Sequence, residues 1–71
     1  MVNRIIRGLN FNGETVLGKV LDKIHVNNDT IYLCLIHTEQ EQLPNIGYIQ
    51  ASEVNYLYPE YTKFENLKGK L

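Results

Sequence analysis

Tryptophan is absent from this chain of 71 residues, and cysteine occurs once, at Cys34. A disulfide within the chain is therefore excluded. His25 and His37 are the only histidines, and no second thiol stands beside them to complete a structural zinc site. No metal and no other cofactor is expected. No window approaches the roughly 20 apolar residues of a membrane span, and residues 1–9, with two arginines, hold no apolar stretch long enough for a signal core. These absences point to a soluble cytoplasmic protein with no membrane partner. A lone cysteine in an apolar run fits a reducing compartment. The net charge of −1 argues against generic phosphate binding.

What remains is one small domain, residues 1–71. A chain of this size buries only about 60% of its unfolded surface. Without disulfides or metals, either oligomerisation or a very well packed core must stabilise it, so a homo-oligomer is expected. Charge is unevenly placed. Residues 39–60 carry Glu39, Glu41, Glu53 and Glu60 and no lysine or arginine, whereas Arg4, Arg7, Lys19 and Lys23 lie in the first third and Lys63, Lys68 and Lys70 near the end.

Residues 1–14 read as a strand or extended arm followed by a loop, with Asn12-Gly13 a turn signal. From Thr15, apolar residues alternate. Val16, Gly18 and Val20 share one face of a strand, and Leu17, Lys19 and Leu21 share the other. Gly18 predicts a bend or a close backbone approach. The adjacent apolar pair Val20-Leu21 predicts a phase shift of the kind a β-bulge produces. Asn27-Asn28-Asp29-Thr30 predicts a hairpin turn, because Asn and Asp tolerate positive φ. Residues 31–36 are apolar on both faces, which calls for cover on both sides, by the N-terminal arm or by a second subunit.

After a polar loop at residues 39–45, the pattern predicts a short strand at Gly47-Tyr48-Ile49-Gln50 and a single helical turn at Ala51-Ser52-Glu53-Val54. A last strand, Asn55-Tyr56-Leu57-Tyr58, is closed by Pro59. Residues 60–71 form a polar tail in which Tyr61, Phe64, Leu67 and Leu71 have helical spacing, so a short docked helix and a frayed tail both fit. The expected core is Val16, Val20, Ile24, Leu33, Leu35, Ile49, Val54 and Leu57. The fold class is mainly β, a small and strongly bent antiparallel barrel over residues 15–59.

This order of elements resembles an SH3-like barrel, in which a long bent strand, a hairpin, short strands and a single turn before the last strand recur. It also looks like the small barrels encoded by bacteria, plasmids and phages, in which a phrase such as Gly18-Lys19-Val20-Leu21-Asp22-Lys23 opens the long strand. The resemblance covers residues 15–59 and implies a binding scaffold. The proline-peptide pattern of signalling SH3 domains is missing, since there is neither a tryptophan nor an Ala-Leu-Tyr-Asp-Tyr stretch.

No enzyme is expected. Cys34 is the only thiol that His25 or His37 could activate. It sits among apolar residues, where cysteine behaves as a small hydrophobe, and His37 points to the opposite face of the strand. A metal set of His25, His37 and Glu39 is disfavoured, because the two histidines diverge along a hairpin. Glu39 and Glu41 read as a solvated loop pair. Four of the five tyrosines lie after residue 47. Tyrosine is enriched at binding surfaces, so Tyr48, Glu53, Tyr56 and Tyr58 are the candidate site for a protein partner, with an adaptor or inhibitor role. The rival is a nucleic-acid-binding barrel that uses Arg4, Arg7, Lys19 and Lys23 as a basic face.

Overall fold

A computed structural model describes residues 2–37 and 45–67. Among these residues there are four strands, β1 (Ile5–Asn10), β2 (Thr15–Val26), β3 (Asp29–His37) and β4 (Asn45–Leu57), followed by one 3-10 turn, Phe64–Leu67. Every pairing is antiparallel, β1 with β2, β2 with β3, β3 with β4 and β4 with β1. The sheet therefore closes into a ring. The segment read as a strand or arm is a full member of that ring, since β1 joins β2 to β4.

Local chemistry explains the two turns. Asn10 holds the β1–β2 loop. Its Oδ1 accepts from the backbone N–H groups of Asn12 and Glu14, both at 2.9 Å, and Gly13 adopts a φ of 79°. Asn27 and Asn28 both have positive φ, 49° and 69°, and Val26 pairs with Asp29 across them. This is the two-residue hairpin geometry that matches strand twist. The turn is two residues tighter than the sequence pattern implies, so β3 begins at Asp29.

The phase shift in β2 is present. Val20 pairs with Cys34 and Asp22 pairs with Leu33, which leaves Leu21 as the extra residue of a bulge. Gly18 is a point of close approach, because a Cβ there would lie 2.8 Å from the Cys34 Cβ.

The core differs from the expected one in β3. Its buried cluster is Ile6, Val16, Val20, Cys34, Ile36 and Ile49, with Tyr32 and Val54 packed against it. Leu33 and Leu35 face outward instead. Both faces of β3 are apolar, so alternation could not choose between them; the pairing with β2 does. Gly18 and Val20 face inward and pair with Ile36 and Cys34, whereas Leu35 lies opposite Lys19. Ile24 is only half-buried, and Leu57, at the end of β4, is 41% exposed.

The helical turn expected at residues 51–54 is not formed. These residues belong to β4, a single strand of 13 residues. The first part of β4 pairs with β3 and the later part with β1, and the register slips twice along β1. Gly8 pairs with Val54 but Asn10 with Ile49, so β4 holds the extra residues and bends. Closing a ring of four strands demands that bend, and local propensity at Ala51-Ser52-Glu53 yields to it.

A second cluster lies outside the ring. Ile5, Leu17 and Leu67 are buried together, with Tyr58 and Phe64 against them. The Arg4 guanidinium fixes the chain that leads there, with Nε and Nη2 donating to the Tyr58 carbonyl at 3.0 and 2.7 Å. The tail thus docks through one short turn, while Tyr61 stays exposed. Lys68 and Leu71 lie outside the described residues.

Candidate protein-docking surfaces

The reactive side chains stand apart. Cys34 is fully buried, and burial pushes its thiol up to about 12. Its Sγ–H donates to the Tyr32 carbonyl at 3.5 Å. His37 is on the outer face, stacked on Phe64 with ring centroids 5.2 Å apart. His25 sits beside the hairpin turn, with Nδ1 3.3 Å from the Thr30 hydroxyl, at the opposite end of the hairpin from His37. Among the described residues no three His, Cys, Asp or Glu side chains group as metal ligands. Glu39 and Glu41 lie outside the described residues.

The bend in β4 divides the aromatic set. Tyr56 and Tyr58 meet edge to face at 4.7 Å. Tyr56 is paired with Arg7 on β1, and the guanidinium carbon stands 5.8 Å from the centre of its ring. Such a contact is worth about 0.5–1 kcal/mol at an exposed site. Glu53 is half-buried at the bend itself. Tyr48 belongs to the earlier part of β4, opposite Leu33, with Phe11 at 6.5 Å. Tyr48 and Tyr56 therefore centre two separate patches.

The basic set is divided as well. Arg4 is committed to the Tyr58 carbonyl, with Glu60 3.8 Å away. Arg7 joins the tyrosines. Lys19 faces outward, opposite Ile5 and Leu35. Lys23 lies beyond the bulge and pairs with Tyr32, a residue of the inner face, so Lys19 and Lys23 project on opposite sides of the sheet. The four residues do not share one surface.

The sequence showed residues 31–36 apolar on both faces and in need of cover, but did not single out the outer face of β2, β3 and β4 as a site. Leu33 and Leu35 run along it, flanked by Ile46 and Tyr48, which are 60% and 46% exposed. The signal was the doubly apolar β3. Its inner residues fill the ring, and its outer ones receive no cover from β1, which lies within the ring.

No family model, curated protein or solved structure matches this chain. No helix among the described residues is long and apolar enough to cross a membrane.

Proposed function

We propose that the protein is a non-enzymatic binding module, an adaptor or inhibitor, that docks another protein on the outer face of β1 and β4. The observation that carries this reading is Tyr56. The residue is 49% exposed although Tyr58 meets its ring edge to face and Arg7 stands over it. Tyrosine and arginine are the residue types that dominate interface energetics. Mutual contact already restrains these side chains, so docking loses less side-chain entropy. Glu53 lies beside the patch on β4, whereas Tyr48 belongs to the separate patch opposite Leu33.

The finer fold reading, an SH3-like barrel of bacterial or mobile-element type, belongs to the same proposal. The closed antiparallel ring, the bulged β2 and the tight hairpin support it; the turn before the last strand does not, since residues 51–54 are extended. A reducing, cytoplasmic setting is supported by the unpaired, buried Cys34.

The nucleic-acid reading draws on one observation, a cation over an exposed ring, the pairing used to stack single-stranded bases. It lacks a continuous basic track, because Arg4 is engaged and Lys23 faces away from Lys19.

One comparison separates the two. A photocross-linking residue at exposed position 55 should trap a protein in the source cell, and Tyr56→Ala should abolish the adduct. Binding to single- and double-stranded DNA and RNA is measured in parallel at low and moderate salt. Micromolar, salt-sensitive binding that Arg7→Ala removes overturns the protein-docking reading in favour of nucleic acid.

A further inference from the structure

The outer face of β2, β3 and β4 carries two parallel rows of side chains. Asp22, Leu33 and Tyr48 are cross-strand partners and form one row. Lys19, Leu35 and Ile46 form the next. Directly paired residues project from the same side of a sheet, and Leu33 and Leu35 face away from the core, so both rows point outward. Each row has a charge on β2, a leucine on β3 and a large apolar side chain on β4. The two charges have opposite sign. The Lys19 side chain makes no ion pair among the described residues, and neither does exposed Asp22, whose Oδ1 accepts from the Lys23 backbone N–H at 2.7 Å.

We propose that this face binds a second copy of the chain, forming a two-fold dimer whose axis crosses the strands between the two rows. A two-fold contact is isologous: if residue i touches j, then j touches i. With the axis so placed, each row lies on the other row of the second copy. Lys19 meets Asp22, Leu33 meets Leu35, and Tyr48 meets Ile46, each twice. The face is thus complementary to itself in charge and in apolar content. A second copy also supplies cover for the outer side of β3 at Leu33 and Leu35, since among the described residues the C-terminal turn packs on Ile5, Leu17 and, through Phe64, His37. The Arg7, Tyr56 and Tyr58 patch is centred on β1 and the end of β4, beside the two rows and not among their residues, and takes no part in this contact.

The test is sedimentation equilibrium on the full chain, with a dichroism spectrum of each variant to confirm folding. Wild type is expected to be a dimer. Lys19→Asp and Asp22→Lys each place like charges together twice, and each should raise the dissociation constant at least about tenfold, a change of roughly 1.4 kcal/mol. Mixing the two variants restores both ion pairs, so the equimolar mixture should recover wild-type association. Ile46→Asp, at a site already exposed, should give a folded monomer. A wild-type monomer at millimolar concentration overturns the proposal. So does a dimer indifferent to Lys19 and Asp22, or a pair of weakened variants that mixing fails to rescue. None of these results bears on the Tyr56 cross-link, so the two readings stand or fall separately.

Discussion

The α-carbon of Gly8 lies against the backbone of Glu53. A Cβ built on Gly8 would come within 2.5 Å of the Glu53 carbonyl oxygen and 3.1 Å of the Val54 Cα. This contact is where β4 bends to reach β1, so the closure of the ring depends on a missing side chain.

Gly8→Ala should therefore destabilise the fold by about 1–3 kcal/mol, the usual cost of forcing atoms into a packed site. The obstacle is backbone, which cannot swing aside as a side-chain tip would. Gly13→Ala is the control. Nothing lies within 4 Å of its Cβ position, but its φ of 79° is left-handed, so its cost is conformational and about 1–2 kcal/mol. Urea denaturation midpoints measure both. A larger loss for Gly13→Ala than for Gly8→Ala refutes this account of the bend.

Truncations in β3 and β4 distinguish the inner from the outer face. Ile49→Ala removes a fully buried side chain of the ring core and should cost about 2–5 kcal/mol. Leu33→Ala removes a half-buried outward one and should cost about 1 kcal/mol, near the centre of the distribution for point mutations. The comparison is made by chemical denaturation at a concentration where all variants share one association state. Equal costs at the two sites mean that the assigned faces of β3 are wrong.

Cys34 makes stability depend on pH at the alkaline end. Its thiol ionises near 9.0 when unfolded and at about 12 in the fold, because burial disfavours the thiolate. Below pH 9 both states hold the proton and the contribution is fully present. Between pH 9 and 12 only the unfolded chain releases it, so stability falls by about 1.4 kcal/mol per pH unit. Cys34→Ala should flatten this slope in thermal melts taken between pH 8.5 and 10.5. A slope unchanged by the substitution excludes Cys34 as its source.

Several features were legible locally because their causes are local. The Asn27-Asn28 turn needs only residues that accept positive φ. The bulge shows as two adjacent apolar residues, Val20 and Leu21, that one face cannot hold, and Gly18 marks the narrow interior it faces. The antiparallel character follows from short connections between alternating runs. The surface that Tyr56 and Tyr58 share was visible as a period of two across the end of β4.

Other features were decided only by the tertiary structure. Residues 51–54 carry no strand signal, and they are extended because a ring of four strands closes only if β4 runs on and bends past Gly8. Both faces of β3 satisfy the same apolar rule, so pairing with Gly18 and Val20 had to choose Cys34 and Ile36 for the interior and leave Leu33 and Leu35 outside. Arg4 reads as a free cation in sequence, yet it is held by a carbonyl 54 residues away. Composition and periodicity report what each residue prefers by itself. Which preference prevails depends on register between distant strands, and register exists only once the ring has closed.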